Sequence, residues 1–548
     1  MENTNHSPNH DLSSTILRLP CYEPAGRHIT LDGEALTRNT LLTGAIGSGK
    51  TSTLNHVLQQ LIHFRASDAE SKLGLIVFDF KRDGTAGRVR QWAESAGRAQ
   101  DVEVLDETSN TRLELFEGLD SLEDLETIVE ALCASAPKEG YENKYWECAR
   151  QKRLTTALGL YRLVHEGPLY GPEVLSFIQD FLGLNTSGGS YRDANSKEFR
   201  LFDGLFKAIP DSTPEQLRVE VDAIESGLNE FKDLDCRTAS NEVSTITNFL
   251  SLFTGPSKYK YLGGKEKKVI RVKEVIESGK ILVVSIPALR QPSLAASLGR
   301  LIKSRFYAAL QERELSYDTP GRLAGIIMDE YPLVATGGAS AQSDVTQLQA
   351  MRSMRGFAIA ATQGFEALRR VLGSSESTAL LAQIDQHFIF QSKEAAVADF
   401  TEALWGDRYQ ERRVAGLDGA ESKESAVYSS GIESSWQKTV IQRRPRVGLK
   451  ELACLQPGEA WVWTPSTHNS VKPYWMVPLH TAASPYKGEV VDASATSQAW
   501  EAKLRSEALP RERKRKRSRE APVDLDDEAG YNSDSDSEFD SSWEDVPW

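Results

Sequence analysis

The sequence predicts an α/β fold in which helices cover both faces of a mostly parallel sheet, with an all-α insertion and a disordered carboxyl-terminal tail. Three observations support this prediction. A glycine-rich loop near residue 50 joins a short apolar run to an amphipathic helical segment. Continuous apolar runs recur downstream, as buried parallel strands require, and charged residues follow at their carboxyl ends, where open α/β sheets bind ligands. A long helical stretch separates the early strands from the later ones.

The composition divides the chain of 548 residues into five segments. A chain of this length exceeds a single core, so two folded units with tails are expected. Residues 1–14 are polar and are predicted to be disordered. The two parts of the α/β domain are assigned to residues 15–120 and 256–485, and the inserted all-α domain to residues 121–255. Residues 486–548 form a predicted disordered tail that is first basic and then acidic.

Composition and charge limit the classes of function. Apolar residues make up 40% and charged residues 26%, which is typical of a soluble globular protein. The net charge is -14, so any contact with DNA must come from local basic loops. The five scattered cysteines form no CxxC pair, which favours a reducing compartment and offers no zinc site. No apolar stretch approaches the roughly 20 residues of a membrane span, so we expect a cytoplasmic protein that reaches a membrane only through a partner.

The first elements surround the glycine-rich loop. Short alternating runs in residues 15–38, broken by proline and glycine, predict a small β element. Residues 40–43 read as a short buried strand entering the loop, and a helix is predicted after it. Its apolar residues recur at helical spacing on one face: Leu54, Val57, Leu58 and Leu61. The continuous apolar run at 73–79 predicts a central parallel strand, and a further strand is predicted at 102–105.

Helical periodicity then dominates, and strands resume afterwards. The predicted helices of the insertion cover residues 122–132, 142–164, 171–182, 213–231 and 238–253. After them, strands are predicted at 269–272 and 280–286, followed by a helix at 293–314. The later predicted strands cover residues 323–328, 356–362, 388–391, 460–463 and 471–477.

The glycine-rich loop fits the pattern Gly, four residues, Gly-Lys-Ser/Thr, which is the P-loop of nucleoside triphosphatases. Its residues are Gly44, Ala45, Ile46, Gly47, Ser48, Gly49, Lys50 and Thr51. The glycines permit backbone angles that turn amide N–H groups toward phosphates. Lys50 can reach the β- and γ-phosphates, and the Thr51 hydroxyl can bind Mg²⁺. The flanking strand and helix argue against a chance glycine-rich turn, so ATP and Mg²⁺ are the predicted ligands.

Two later strand ends supply candidates for the second half of the site. The apolar run at 325–328 ends in Asp329, which suits Mg²⁺ binding through water, and Glu330, which suits polarising the attacking water. The run at 356–362 ends in Gln363, whose neutral amide can bond the γ-phosphate or that water. Many strands end in acidic or polar residues, so each signal depends on the P-loop upstream.

Two arginines precede the second of these strands. Arg352 and Arg355 can stabilise the charge of a phosphoryl-transfer transition state, often across a subunit boundary. The alternative is a pair of surface arginines. The candidate arginine finger, meaning the arginine that would reach the transition state, is therefore either Arg352 or Arg355.

This order of motifs resembles the type IV coupling proteins, the VirD4/TraG/TraD-type ATPases of the HerA–FtsK superfamily. The residues that carry the resemblance are the P-loop, Asp79-Phe-Lys81, Asp329-Glu330 and Thr362-Gln363, with further matches at 143–147, 279–287 and 449–460. It covers roughly residues 38–478. It implies a RecA-like ATPase that forms a hexameric ring and drives DNA through its channel, with relaxase or secretion-channel proteins as partners.

The chain departs from that family in three respects. The family usually has amino-terminal membrane helices, which this sequence lacks, and Arg82 stands where the family commonly has glycine. The glycine that follows the family's finger arginine is displaced by one residue here, so the resemblance does not distinguish Arg352 from Arg355. Two other functions therefore stay open. One is a soluble HerA- or FtsK-like helicase or packaging ATPase working with a nuclease or capsid. The other is a non-catalytic adaptor whose assembly is switched by nucleotide.

The tail carries two opposite charge runs. Residues 511–519 hold seven basic residues, which suits nuclear import, phosphate binding or simply a solvated linker. From Glu520 to Trp548 there are eleven acidic residues and no basic one, so this stretch should be disordered. It ends in Trp543-Glu-Asp-Val-Pro-Trp548, which is similar to the acidic tip of bacterial single-stranded-DNA-binding proteins and predicts docking to a partner.

Overall fold

The computed structural model describes most of the chain between residues 14 and 475. The described residues are 14–20, 28–114, 125–126, 129–130, 142–164, 171–181, 215–251, 253, 260–264, 266–313, 321–338, 343–416, 436–464 and 473–475. The predicted disordered ends, 1–14 and 486–548, therefore lie almost wholly outside the described residues, as does most of the helix predicted at 122–132.

The amino-terminal part alternates strands and helices. In chain order these elements are β1 (Thr15–Pro20), β2 (His28–Asp32), α1 (Gly33–Leu36), β3 (Thr40–Thr43), α2 (Lys50–His63), β4 (Gly74–Phe78), α3 (Thr85–Ser95), β5 (Val102–Leu105) and β6 (Thr111–Leu113). β1 and β2 form an antiparallel pair of their own, as predicted for this region.

Helices alone make up the described part of the next stretch. They are α4 (Glu142–Val164), α5 (Gly171–Phe181), α6 (Glu215–Asp233) and α7 (Cys236–Leu250). Buried apolar residues at helical spacing hold them together, among them Leu154, Leu158 and Tyr161 of α4. The buried ion pair between Arg153 of α4 and Glu242 of α7 ties two of these helices directly.

The carboxyl-terminal part returns to alternation. Its elements are β7 (Lys268–Ile270), α8 (Val272–Glu277), β8 (Ile281–Val284), α9 (Pro292–Gln311), β9 (Ala324–Met328), α10 (Asp344–Met351), β10 (Gly356–Thr362), α11 (Phe365–Leu372), α12 (Ser374–Ala382), β11 (Gln386–Phe390), α13 (Ala395–Trp405), β12 (Asp407–Gly416), β13 (Trp436–Pro445), α14 (Leu449–Ala453), β14 (Glu459–Trp463) and β15 (Pro473–Trp475).

Nine strands of the described chain form one sheet in the order β15-β14-β11-β3-β10-β9-β4-β8-β5. The seven strands from β11 to β5 run parallel, while β14 and β15 add an antiparallel edge. β6 and β7 pair in parallel beside this sheet, so the chain leaves for the helical stretch and returns from it at neighbouring strands. β12 and β13 form a separate antiparallel ribbon.

Alternate residues of the central strands feed two cores, one on each face of the sheet. Leu75 and Val77 of β4 pack in the cluster that contains α2 and α3. Ile76 and Phe78 pack in the cluster that contains α9 and the helical stretch. Strands buried on both faces need the continuous apolar runs seen in the sequence. The predicted three-layer α/β fold with a RecA-like P-loop arrangement is therefore confirmed.

The structure corrects two details. The strand predicted at 269–272 ends at Ile270, and Val272 begins the helix α8 instead. The reason is that Val272, Val275 and Ile276 are buried together, which is the spacing of a helical face. The ribbon β12–β13 was not predicted, because neither strand has the apolar alternation of a half-buried strand.

Candidate nucleotide-binding site

The predicted P-loop and both predicted strand ends meet at the carboxyl edge of the sheet. The loop joins β3 to α2, Asp329 and Glu330 follow β9, and Gln363 follows β10. β3, β10, β9 and β4 are adjacent parallel strands, so their carboxyl ends share one edge. This is the edge at which open α/β sheets bind ligands.

Two P-loop glycines adopt backbone angles that other residues rarely tolerate. Gly47 has φ 77° and Gly49 has φ 105°, both in the left-handed region. A Cβ at Gly49 would lie 2.7 Å from the backbone nitrogen of Gly458, so this position is closed sterically as well. The loop tip then runs directly into α2, whose amino-terminal N–H groups favour an anion.

Two neighbouring segments fasten the P-loop by its backbone. The Gly458 N–H donates to the Ser48 carbonyl at 2.8 Å, and the Ala45 N–H donates to the Gln391 carbonyl at 2.7 Å. Gln391 in turn donates from its side chain to the Ala453 carbonyl at 3.1 Å. The loop is thus held in shape by segments more than 300 residues away in sequence.

Lys50 is buried and folded over the P-loop. Its Nζ donates to the carbonyl oxygens of Gly44 at 2.5 Å and Ala45 at 2.8 Å. Burial, reinforced by the neighbouring Lys81 charge, lowers the pKa of Lys50 to about 8, although Asp329 and Glu330 oppose the shift. Carbonyl dipoles solvate the ammonium group only in part, so an anion at this position would stabilise it further.

Thr51 and Asp329 form the candidate magnesium position. The Thr51 hydroxyl donates to Asp329 Oδ2 at 3.0 Å, which brings together two oxygen ligands of the kind Mg²⁺ prefers. Among the described residues there is no cluster of three or more His, Cys, Asp or Glu side chains suited to a metal. Mg²⁺ commonly takes few protein ligands and completes its shell with phosphate and water, so this pair fits that ion.

Lys81 joins the two carboxylates that follow β9. Its Nζ lies 3.1 Å from Asp329 Oδ2 and 2.7 Å from Glu330 Oε1. Burial alone would lower the pKa of Lys81, but the two carboxylates outweigh it and raise that pKa above its ordinary value. The ammonium group therefore neutralises negative charge at the position where a polyphosphate would otherwise be repelled.

Glu330 and Gln363 contact each other across the ends of β9 and β10. Gln363 Nε2 lies 3.3 Å from both carboxylate oxygens of Glu330. Glu330 has φ 63°, a left-handed conformation that is unusual outside glycine and asparagine. Such strain persists only where the surroundings enforce it, and it is concentrated at functional sites.

Asp79 lies at the border of the site, where it lines a small cavity together with Thr51, Lys81 and Asp329. Its side chain is buried at the end of β4 and accepts the Ser285 hydroxyl at 3.4 Å. Burial, reinforced by Asp83, raises the pKa of Asp79, while backbone N–H groups of Ala86 and Arg82 oppose the shift. These bonds anchor the turn that carries Lys81.

The structure does not bring Arg352 and Arg355 to Lys50 within the chain. Both precede β10 and therefore lie at the amino edge of the sheet, opposite the P-loop edge. Arg352 pairs with Glu34 at 2.9 Å, and Arg355 donates to the Gly321 carbonyl at 2.9 Å. Their assignment to a neighbouring subunit's site stays a prediction.

The sequence did not indicate the roles of two residues of the site. Lys81 was expected at the ligand edge, among the charged residues that follow a central strand, but its pairing with the two carboxylates was not predicted. Gly458 lies in the family match at 449–460, but no role was predicted for it, because its contact with the P-loop joins positions that only the folded sheet brings together.

Within the described residues, no helix combines the length and apolarity that a membrane span requires. The tail motif Trp543–Trp548 lies outside the described residues.

Comparison of this structure with solved structures gives matches that include several forms of one plasmid protein. The plasmid coupling protein TrwB in complex with an ATP analogue matches with a TM-score of 0.53 at 14% identity, over 88% of this chain and 98% of that one. Its complex with a GTP analogue gives 0.52 at 15% identity, over 84% and 90%. A trigonal form of truncated TrwB with sulphate gives 0.51 at 17% identity, over 81% and 85%.

Comparisons at the level of sequence give a different result. No family model matches the sequence, and no curated protein does. The fold expected from the motif order is thus confirmed by structure at an identity too low for sequence comparison to detect. The chain has the fold of the conjugative coupling protein TrwB.

Proposed function

We propose that this chain is a magnesium-dependent ATPase that drives DNA through a hexameric ring. The observation that carries the proposal is the gathering of Lys50, the Thr51–Asp329 pair and the Glu330–Gln363 pair at one sheet edge. The fold shared with TrwB, a plasmid coupling protein solved with nucleotide analogues, supports the same conclusion. Relaxase and secretion-channel proteins are the partners that this function would require.

Lys50 binds the phosphates in this mechanism. It exchanges the Gly44 and Ala45 carbonyls for oxygens of the β- and γ-phosphates, which are charged acceptors and therefore stronger ones. The P-loop N–H groups and the amino terminus of α2 add further donors. Thr51 and Asp329 would hold Mg²⁺, which supplies charge neutralisation to the phosphates when it is bound.

Glu330 acts on the attacking water. Its carboxylate orients the water and accepts its proton, while the Gln363 amide fixes the carboxylate and contacts the same water. The strained backbone at Glu330 holds the carboxylate toward the nucleotide edge. Lys81 limits the repulsion between this carboxylate and the γ-phosphate.

Lys50→Ala and Glu330→Gln should each abolish ATP hydrolysis, measured as steady-state phosphate release with and without DNA. We expect losses of about 10²–10³-fold or more, because each removes charge stabilisation or proton transfer from the reacting centre. Glu330→Gln should still bind a fluorescent ATP analogue, whereas Lys50→Ala should not. DNA should stimulate hydrolysis by the unaltered protein.

Glu366→Gln is the matched control, because this exposed α11 carboxylate pairs with Arg369 outside the site. It should keep full activity. Normal hydrolysis by Glu330→Gln in the presence of DNA would contradict the assigned base. Nucleotide binding with no turnover under any condition would favour the nucleotide-switched adaptor.

We further propose that Arg352 or Arg355 completes the site of a neighbouring subunit. Hydrolysis should then rise more steeply than linearly with protein concentration. Mixing Lys50→Ala protein with an arginine-to-alanine variant should restore part of the activity, because mixed rings contain some complete sites. If both variants form rings and no activity returns, each site is completed within one chain.

A further inference from the structure

The ribbon β12–β13 stands apart from the main sheet and is long. Each strand has ten residues, and the register runs from Asp407 opposite Pro445 to Gly416 opposite Trp436. At 3.4 Å per residue the ribbon spans about 30 Å. Within the described part of the chain, its two strands pair only with each other.

The register divides the ribbon into two faces with different charge. Residues directly opposite each other share a face, and residues alternate between faces along each strand. The face defined here as the basic face contains Arg408, Gln410, Arg412, Val414, Gly416, Trp436, Lys438, Val440, Gln442 and Arg444. The opposite face contains Asp407, Tyr409, Glu411, Arg413, Ala415, Gln437, Thr439, Ile441, Arg443 and Pro445.

All of the ribbon's net charge belongs to the basic face. That face has four basic residues and no acidic one, whereas the opposite face has two of each. The surplus occurs in a chain whose net charge is -14. Positive charge concentrated on one face of a chain with a negative net charge suits the binding of an anion.

The spacing of these charges selects an extended anion over a small one. Arg408 and Arg412 are four residues apart on one strand, about 14 Å, and Lys438 and Arg444 are six apart on the other, about 20 Å. A single phosphate cannot contact such a row. Three of the four cations are arginines, which bind phosphate in a bidentate manner, and glutamines stand between them.

A two-stranded ribbon also has the width that the major groove of duplex DNA admits. Here we propose that the basic face of β12–β13 binds the phosphate backbone of DNA. The inference rests on the proposed function and names the surface through which that function contacts its polymer. The alternative occupant is the chain's own segment from Glu520 to Trp548, which has eleven acidic residues and no basic one.

The ribbon is connected to the P-loop by a short path. β13 ends at Pro445, α14 follows, and the next loop carries Gly458, whose N–H donates to the Ser48 carbonyl at 2.8 Å. The Ala453 carbonyl at the end of α14 accepts a bond from the Gln391 side chain, and the Gln391 carbonyl accepts the Ala45 N–H. The ribbon is thus joined through α14 and the loop that carries Gly458 to two segments that hydrogen-bond the P-loop, which gives DNA bound at the ribbon a route by which it would influence hydrolysis.

The test compares two double substitutions in the full chain. Arg412→Thr with Lys438→Thr alters the basic face, and Arg413→Thr with Arg443→Thr removes the same charge from the same two strands on the opposite face. Thermal unfolding checks that both variants are folded. Affinity for a labelled DNA duplex is measured by fluorescence anisotropy at several salt concentrations, and for a labelled peptide of residues 520–548 alongside.

We expect the basic-face variant to lose roughly tenfold or more in DNA affinity, with the salt slope reduced by about two. The opposite-face variant should change less than about twofold. Equal losses in both variants would mean that only net charge matters, and no loss in either would mean that DNA binds elsewhere. A loss of peptide affinity without a loss of DNA affinity would make the acidic tail the occupant. Each of these three outcomes overturns the proposal.

Hydrolysis of ATP without DNA separates this inference from the proposed function. Neither pair of residues belongs to the nucleotide site, so DNA-independent turnover should be unchanged in both variants. If the unaltered protein hydrolyses ATP and the basic-face variant binds DNA normally, only the ribbon assignment fails. If DNA binding depends on the basic face but no ATP is hydrolysed, only the ATPase assignment fails.

Discussion

Lys50 and Lys303 are two buried lysines with similar pKa values and different surroundings. Burial is the main cause that lowers the pKa of each to about 8. Lys303, on α9, lies beside a carboxylate, whereas Lys50 lies over backbone carbonyls. Within the described residues, Lys50 has no carboxylate at ion-pair distance. The carboxylates that favour its charge, Asp329 and Glu330, are paired with Lys81.

Lys303 belongs to a closed network around Asp344. Its Nζ lies 2.5 Å and 2.7 Å from the two Asp344 oxygens and also donates to the Val334 carbonyl at 2.6 Å. The Tyr307 and Tyr331 hydroxyls donate to Asp344 at 3.0 Å and 2.6 Å. The Lys303 and Asp344 side chains are each 1% exposed, so the network is closed to solvent.

The difference separates a structural charge from a binding charge. A buried ammonium group with a hydrogen-bonded counter-ion fixes packing, here joining α9, α10 and the turn after Glu330. A buried ammonium group that faces only carbonyls is incompletely compensated, so an incoming polyphosphate stabilises it. The two lysines have nearly the same pKa, although Lys303 is the more deeply buried; the partners decide the role.

The largest expected effect comes from breaking the closed network. Asp344→Ala should lower the free energy of unfolding by about 3–5 kcal/mol, because it leaves the Lys303 charge buried without a counter-ion. Urea denaturation followed by circular dichroism measures this loss. The double variant Lys303→Met with Asp344→Ala should recover a substantial part of it. If the double variant is as unstable as the single one, the buried charge is not the cause.

A third buried base, His387 on β11, sharpens the comparison. Burial lowers the pKa of His387 to about 4 in the folded protein. In the unfolded chain the same imidazole has a pKa of about 6.5, so between these two values only the unfolded chain binds the proton. Stability should therefore be constant above about pH 6.5 and fall on acidification, by about 3 kcal/mol for this group at pH 4.

His387→Phe should remove this part of the loss of stability at low pH. The measurement is the free energy of unfolding at several pH values between 4 and 7. Phenylalanine is a suitable replacement because the His387 ring packs edge-on against the Phe400 ring, with 4.8 Å between the ring centroids. His56, whose pKa burial also lowers to about 4, should keep a second contribution. His63→Phe on α2 is the control substitution. If the free energy of unfolding of His387→Phe falls on acidification as much as that of the unaltered protein, His387 is not a neutral buried imidazole.

The smallest expected effect on stability is at Lys50. Lys50→Met should leave the free energy of unfolding unchanged or raise it by up to about 1 kcal/mol, since it replaces an incompletely compensated buried charge with an apolar chain of similar length. Binding of an ATP analogue should nevertheless be lost. Lys303→Met, which leaves Asp344 unpaired, should be clearly destabilising in the same denaturation assay. If both substitutions lower the free energy of unfolding equally, Lys50 is as much a structural charge as Lys303.

Local sequence signals predicted the elements that build the nucleotide edge. The strand at 356–362 and the helix at 142–164 were predicted with the bounds that the structure has, and β3 likewise. Each is a continuous apolar run or a long amphipathic pattern bounded by turn residues. Such signals depend only on neighbouring positions, so a single sequence is enough to detect them.

Features that depend on distant pairing could not be predicted in the same way. Lys81 meets Asp329 across 248 positions of sequence. The Asp344 network depends on the packing of α9 against α10, and a lone aspartate at a helix start does not indicate it. The ribbon strands carry polar residues at positions of both faces of the register, so the sequence has no apolar alternation that would indicate their pairing.

The position of β3 in the sheet has a consequence for synthesis. This strand enters the P-loop, and its two neighbours are β10 and β11, which are encoded more than 300 residues later. At 5–20 residues per second, roughly 20–70 s pass before both neighbours leave the ribosome. During that time the nucleotide site cannot form. The helical stretch from α4 to α7 is rich in local contacts, so it can fold earlier. We expect nascent chains that end before β11 to be unable to retain nucleotide, and the chain to be exposed to chaperones during that interval.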